Sequence, residues 1–106
     1  MSDIDIKYAQ LGGSTGFLGA AVTAELVTPD GFGRYRHFQG GSIYWTPGTG
    51  AHEVHGAIRA KWASIGWETS RLGYPTTDEY SVPVGRASEF QRGQLTWNST
   101  TKQVIG

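Results

Sequence analysis

Two short motifs in the chain have residue types and spacings known from catalytic and metal sites. Residues 12–16 read GGSTG and match the G-x-S-x-G pattern of serine hydrolases. That pattern requires a strand before the serine and a helix after it, within a large α/β sheet. Here a helical pattern precedes the motif, and the matching place in the second half of the chain reads GWETS. We therefore interpret residues 12–16 as a glycine-rich loop.

The second motif is HEVH at residues 52–55. His52 and His55 have a one-turn spacing that can bring two imidazoles to one metal ion, but no third ligand is evident. We predict no metal and no cofactor, and we expect polar residues at a helix start with Glu53 in the first turn. The adjacent carboxylates Asp78 and Glu79 would point to opposite faces of a strand, which disfavours an acid–base pair. No residue is predicted to be catalytic, and the chain is predicted not to be an enzyme.

The remaining candidates are aromatic and polar residues around a predicted hairpin. Residues 38–45 read FQGGSIYW and recur at 90–97 as FQRGQLTW, which is typical of two apolar strands joined by a tight glycine turn. With a two-residue loop at residues 40 and 41, the predicted register pairs Phe38 with Ile43, Arg36 with Trp45, His37 with Tyr44 and Tyr35 with Thr46. One face of the hairpin would then be core, and the other would be an aromatic, polar platform.

The hairpin belongs to a longer internal repeat. The two halves align with a shift of 54 residues up to Glu25 and of 52 residues from Gly33 onward, and we predict units at residues 1–55 and 56–106 of a single domain. Each unit reads as a short helix, a loop, a strand and the hairpin. The predicted fold is therefore α+β, with small antiparallel sheets that share one core. Glu79 matches Glu25, which predicts a structural hydrogen bond repeated in each unit.

Comparison of the units separates scaffold from site. Apolar positions are shared, as in Phe38 and Phe90 or Trp45 and Trp97, and core packing is their expected role. The shared polar positions Arg34/Arg86 and Gln39/Gln91 either anchor loops or form equivalent halves of two sites. Three ring residues are not shared, because the second unit has Ala87, Glu89 and Thr96 where the first has Tyr35, His37 and Tyr44. Such a face either binds a ligand or is covered by the other unit or by a second chain.

Composition excludes several classes of partner. Nine basic and nine acidic residues give a formal charge of zero without a basic block, so we expect neither nucleic-acid binding nor membrane insertion. Cysteine is absent, which excludes disulfides and thiolate metal sites. The N-terminus has acidic residues and no apolar run of the kind found in export signals. We expect a soluble chain, cytoplasmic or released without a leader, or extracellular if an upstream segment was removed.

Several segments together resemble a known family. LGYPTTDE at residues 72–79, the FQGGSIYW segment and TGAHEVHGAIRAKW at residues 49–62 are similar to the LGFP repeat. The first unit departs from the signature, because it reads LGAA at residues 18–21 and lacks both the aromatic residue and the proline. The resemblance implies two contexts, which are non-catalytic modules of actinobacterial cell-envelope enzymes and small mushroom lectins that bind α-galactosides.

The resulting hypothesis is a non-catalytic, lectin-like protein that binds galactose-terminated glycans, the sugar being implied by the resemblance. Sugars stack their C–H faces on aromatic rings while polar side chains bond their hydroxyls. A cell-envelope targeting module of a larger exported enzyme is the alternative. Glycans are the predicted partners, and a homodimer would add avidity. The predicted sugar-binding residues are Tyr35, His37, Tyr44, Asp30, Arg34, His52 and Glu53.

Overall fold

The computed structural model describes all residues from 1 to 106 and contains two helices and two four-stranded antiparallel sheets. Helix α1 (Asp3–Gln10) precedes the first sheet, formed in spatial order by β1 (Leu26–Val27), β2 (Arg34–Phe38), β3 (Gly41–Thr46) and β4 (Gly50–Val54). Helix α2 (Gly56–Ile65) precedes the second sheet, formed by β5 (Tyr80–Val82), β6 (Gly85–Phe90), β7 (Gly93–Asn98) and β8 (Val104–Ile105). Single 3₁₀ turns follow the helices at Gly13–Thr15 and Trp67–Thr69. The predicted α+β class and the repeated order of elements are confirmed.

The two helices begin differently and end alike. The Ser2 hydroxyl accepts a hydrogen bond from the Asp5 N–H at 3.1 Å, and the Asp5 carboxylate accepts one from the Ser2 N–H, which forms a capping box. His55 precedes α2 without a side-chain cap. Gly12 and Gly66 follow the two helices with φ of 100° and 120°, a backbone region that favours glycine. Neither helix is long and apolar enough to cross a membrane.

The predicted hairpin register is wrong by two residues. Phe38 pairs with Gly41, Arg36 with Ile43 and Tyr35 with Tyr44, so that the loop is formed by residues 39 and 40. Gly41 is the first residue of β3 and not part of the loop. It lies so close to β4 that a Cβ there would be 2.6 Å from the Val54 carbonyl oxygen, which explains why the position is a glycine. A shift by two residues preserves the face of every side chain. The predicted division into a face with Phe38 and Ile43 and a face with Tyr35 and Tyr44 therefore holds.

Helix α2 lies between the two sheets and joins the units into one core. The larger apolar cluster combines Tyr44 and Val54 of the first unit with residues of the second, namely Ile58, Trp62, Leu72, Tyr74, Phe90 and Leu95. A smaller cluster packs α1 on the other face of the first sheet through Ile4, Leu18, Phe38 and Ile43. The first sheet is thus covered on both faces, by α1 on one side and by α2 on the other.

Candidate functional site

Four rings from both units form one wall of a cleft beside the first sheet. Tyr35 and Tyr44 stack on neighbouring strands with centroids 5.1 Å apart, and His37 lies 5.1 Å from Tyr35. Trp67 of the second unit completes the wall, at 5.3 Å from His37 and 6.0 Å from Tyr44. The enclosed volume is about 170 Å³. We call this space the aromatic cleft.

The expectation of a fully exposed ring platform is wrong for Tyr44. Only 2% of Tyr44 is exposed, because Trp62 of α2 packs against it with centroids 4.7 Å apart. Burial raises the pKa of the Tyr44 phenol well above its ordinary value. Tyr35 and His37 are half-buried and keep an edge towards the cleft. The rings therefore serve the contact between the units and a surface cleft at the same time.

Trp67 has an unusual backbone conformation. Its φ is 56°, a region in which non-glycine residues are uncommon and strained. The matching residue of the first unit is Gly13, with φ of 58°. The second unit thus places a large ring where the first uses glycine, and this ring reaches the cleft. Trp67 was not predicted as a site residue, although a bulky residue at a glycine position of the repeat is a signal visible in the sequence.

Glu68 also lines the cleft, and it too was not predicted from the sequence as a site residue. It is only 7% exposed, forms no ion pair, and receives no hydrogen bond from another residue. Burial raises its pKa, its own backbone N–H lowers it, and the negative charge of Asp30 raises it further. The matching residue of the first unit is Ser14. Only Ser88 Oγ is fully buried without a partner, so the Glu68 oxygens remain accessible from the cleft. A carboxylate this largely buried is costly to the fold unless water or a ligand supplies a donor.

A larger groove of about 450 Å³ adjoins the cleft, and Glu68 lines both spaces. Asp30 stands on this groove and accepts hydrogen bonds from Tyr74 Oη at 2.8 and 2.9 Å and from Thr28 Oγ1 at 2.6 Å. Burial alone would raise the pKa of Asp30, but these donors and the Phe32 N–H hold it below its usual range. The Phe32 ring is 76% exposed at the groove. We call this space the inter-unit groove.

His37 is held in position at the edge of the cleft. Its Nδ1 lies 2.6 Å from Ser42 Oγ and 3.4 Å from the Arg59 guanidinium, which itself stands 5.1 Å over the Trp67 ring. Burial, and secondarily the charge of Arg59, lower the pKa of His37. The imidazole is therefore neutral near pH 7 and presents one N–H and one acceptor.

Three predicted site residues lie elsewhere. Arg34 is on the α1 side of the first sheet, 3.7 Å from the Glu25 carboxylate. His52 and Glu53 lie in β4 and not at a helix start, so that expectation is wrong; the helix begins only at Gly56 because residues 50–54 pair with β3. Glu53 is 2% exposed, and its carboxylate contacts His55 and the Glu79 N–H.

His52 takes part in a second contact between the units. Its Nδ1 lies 3.2 Å from the Asp78 carboxylate, which also accepts hydrogen bonds from Lys7 Nζ at 2.8 Å and from the Glu53 N–H. Burial opposes ionisation of Asp78, but His52 and Lys7 outweigh it and lower its pKa to about 2. Asp78 thus connects α1 and β4 to the second unit. No group of three or more histidine or acidic side chains is arranged to hold a metal ion.

Comparison with known families explains the duplicated architecture. The LGFP repeat model matches the chain twice, at residues 18–70 and 72–106. The chain belongs to the LGFP repeat family. The LGFP matches begin and end at places other than residues 55 and 56, so the boundary predicted between the units stays a prediction. No curated protein matches the chain significantly.

Membership of the LGFP repeat family also indicates the general kind of function. The LGFP repeat is a non-catalytic repeat and suggests a module associated with the cell envelope. The predicted internal duplication is confirmed by the two matches and by the two sheets of equal strand order.

Proposed function

We propose that the chain is a non-catalytic carbohydrate-binding module and that the aromatic cleft and the inter-unit groove form its glycan site. The observation that carries the proposal is Glu68, a largely buried residue whose carboxylate receives no hydrogen bond from another residue and lines both the cleft and the groove. Carboxylates accept hydrogen bonds from neighbouring sugar hydroxyls, and charge-assisted bonds of this kind are strong. A bound glycan would supply the donors that the protein itself does not.

The surroundings of Glu68 fit a sugar better than a charged ligand. The rings of Tyr35, His37 and Trp67 offer apolar faces and edges for the C–H surface of a pyranose. Asp30 and Arg92 line the groove and can bond hydroxyls on either side of the ring. The exposed Phe32 ring extends the apolar surface outward, which suits a second sugar residue.

Galactose-terminated glycans are the proposed ligands, on the basis of the family resemblance. The alternative is an envelope polymer, which would make the chain the targeting module of a larger enzyme, and membership of the LGFP family favours it. Both alternatives use the same site. They differ in the sugar that the site accepts.

We propose binding and not hydrolysis, although Asp30 and Glu68 have pKa values displaced in opposite directions, as in glycosidases. Both Asp30 oxygens accept hydrogen bonds from Tyr74 Oη. Asp30 is thus held as an anchor of the Tyr74 side chain and is not free to attack a sugar carbon. Incubation with nitrophenyl galactosides is expected to release no nitrophenol, and turnover above background that is lost in Glu68→Gln would contradict this.

The site is tested by a glycan array and by titration calorimetry with the glycan it selects. Glu68→Gln is expected to weaken binding roughly tenfold, because a charged acceptor becomes neutral. The same change is expected to stabilise the fold by up to about 1 kcal/mol at neutral pH, because it removes a buried unpaired charge. That gain should vanish as the pH falls through the raised pKa of Glu68, where the wild-type carboxyl is itself neutral.

The matched control is Glu89→Gln, a carboxyl on the outer face of the second sheet that already bonds Gln94. It should leave binding unchanged. Selective binding of galactosides supports the lectin hypothesis, whereas retention on insoluble cell walls without array binding favours the targeting module. If Glu68→Gln binds as the wild type does, the proposed site is wrong.

A further inference from the structure

A second kind of pocket occurs twice in the chain, once in each unit. The first lies between the start of α1 and the hairpin, encloses about 410 Å³, and is lined by Ile4, Glu25, Arg34 and Trp45. The second lies at the start of α2, encloses about 250 Å³, and is lined by the matching residues Ile58, Glu79, Arg86 and Trp97. The same four residue types at the same four places of the repeat thus form the same cavity twice.

Each pocket combines an aromatic face with an ion pair at its rim. The Arg34 guanidinium lies 3.7 Å from Glu25, and the Arg86 Nε lies 3.0 Å from Glu79. The two arginine side chains are 52% and 39% exposed. The Glu25 and Glu79 side chains are 20% and 7% exposed. The more exposed pair, Arg34–Glu25, contributes little to stability, so the fold alone does not account for its presence beside the first pocket.

The two pockets differ in how the helix start closes them. In the first, Asp3 accepts a hydrogen bond from Trp45 Nε1 at 2.8 Å, and Ser2 Oγ donates to Glu25 at 2.5 Å. In the second, His55 stands at the corresponding edge, between Glu53 at 2.6 Å and Glu79 at 3.2 Å. The Trp97 indole N–H donates no hydrogen bond within the chain, and Lys102 Nζ lies 5.3 Å from the centroid of its ring. The second pocket is smaller but keeps a free donor.

We propose that these repeated pockets are two additional glycan sites, each for one pyranose residue. The ring would stack on Trp45 or Trp97, and the Arg–Glu pair would bond two adjacent hydroxyls, since it offers donors and acceptors side by side. The first pocket, at about 410 Å³, lies at the lower end of small-molecule pockets, and the second, at about 250 Å³, lies just below it; neither leaves room for much more than one sugar ring. The ligand class rests on the proposed function, but the residues are different.

The consequence is a module with three places for sugar residues. Individually weak sites become effective when one polymer or a branched glycan reaches several of them, because the second contact is then intramolecular. If every unit binds a sugar at the same place, each additional unit adds one more contact between the protein and the glycan.

Nuclear magnetic resonance distinguishes the sites, because the chain has four tryptophans. Each indole N–H gives its own signal in a ¹⁵N-labelled sample. Trp67 reports on the aromatic cleft, and Trp45 and Trp97 report on the repeated pockets. Trp62 is fully buried but contacts Trp67 at 5.5 Å, so its signal is expected to follow that of Trp67. The probes are methyl α-galactopyranoside, methyl α-glucopyranoside and soluble oligosaccharides released from bacterial cell wall.

Saturable shifts of the Trp45 and Trp97 signals with at least one probe are expected. A response of Trp67 alone overturns the repeated sites and leaves the proposed function standing. A response of Trp45 and Trp97 without Trp67 supports the repeated sites and overturns the cleft. No response of these three signals to any probe overturns both proposals.

Two variants serve as controls for each other. Arg34→Gln is expected to weaken the Trp45 response at least tenfold and to leave Trp97 unchanged, and Arg86→Gln is expected to do the reverse. Circular dichroism checks that both variants fold. If either variant changes both responses equally, or neither response, the signals do not come from two separate pockets and the proposal is wrong.

Discussion

The first sheet is covered by a helix on both faces, whereas the second sheet is covered on one. Helix α2 packs on Phe90 and Leu95 of the second sheet, and the opposite face carries a surface network of Tyr80, Glu89 and Gln94. In the first sheet the face equivalent to this network holds Tyr35, His37 and Tyr44. Large rings therefore occur on the face of the first sheet on which the second unit packs, and polar residues occur on the corresponding face of the second sheet.

Residues of the first sheet that pack in the core can also be distinguished from those that face the candidate site. Tyr44 is buried by α2, while its neighbours Tyr35 and His37 keep an edge to the cleft that Trp67 and Glu68 close. One contact between the units thus produces both the core and the candidate site. The variants below test whether the two roles can be separated.

The largest expected effect is that of Tyr44→Ala. Loss of a buried aromatic side chain costs about 3–5 kcal/mol, because Tyr44 packs against Trp62, Tyr74 and Tyr35. The matching Thr96→Ala in the second sheet should cost less than about 1 kcal/mol. Guanidinium chloride unfolding measures both changes. If both variants lost the same free energy of unfolding, the two faces would be packed alike, and the contrast between the two sheets would be wrong.

An intermediate effect is expected at the start of α1. Ser2→Ala removes the capping box of α1 and the hydrogen bond to Glu25, and a loss of about 1 kcal/mol is typical for such a cap. Helix α2 has no side-chain cap to lose. Ser14→Ala, which removes an exposed hydroxyl, is the control and should leave the unfolding midpoint unchanged. A midpoint in Ser2→Ala equal to that of the control would contradict the role of the cap.

The smallest expected effect is a pH dependence with opposite signs at two histidines. The hydrogen bond to Glu53 raises the pKa of His55, so its contribution to stability is complete below about pH 6.5 and is lost as the pH rises through its folded pKa. Burial lowers the pKa of His37, so stability there falls as the pH drops below about 6.5. Each effect should stay below about 1 kcal/mol because both side chains are partly exposed.

Unfolding curves between pH 5 and 8.5 measure these two contributions. His55→Asn should flatten the alkaline side of the profile, and His37→Asn should flatten the acid side. A profile whose shape is the same in both variants and in the wild type would mean that neither histidine is linked to folding.

Much of the fold could be predicted from the repeat. The two copies identified the internal duplication, the helices, the hairpins and the division of the hairpin strands into two faces, because glycines and apolar residues recur at matched places. The register was missed by two residues, because the sequence does not show that β4 packs against Gly41. The start of α2 was placed too early, since residues 50–54 carry a helical spacing yet pair as a strand.

The site was only partly predictable. Tyr35 and His37 were predicted because they differ between the units, and Asp30 because it is a polar residue of the turn before the hairpin; the structure brings them to two adjoining spaces. Trp67 and Glu68 were missed because they belong to the second unit and lie in a loop that resembled a simple connection. Residues of two different units that together form one site cannot be recognised as neighbours from a single sequence, because their separation along the chain does not indicate their distance in space.

The position of α2 between the sheets has a consequence for synthesis on the ribosome. The strands that carry Tyr35 and Tyr44 emerge before Trp62 and Trp67, which cover them. Until then the nascent chain presents an apolar ring surface on an otherwise finished sheet. The growing polypeptide is therefore most exposed to mispairing with other chains between the emergence of β4, which completes the first sheet, and the emergence of Trp67, and slow translation over that stretch would lengthen the interval.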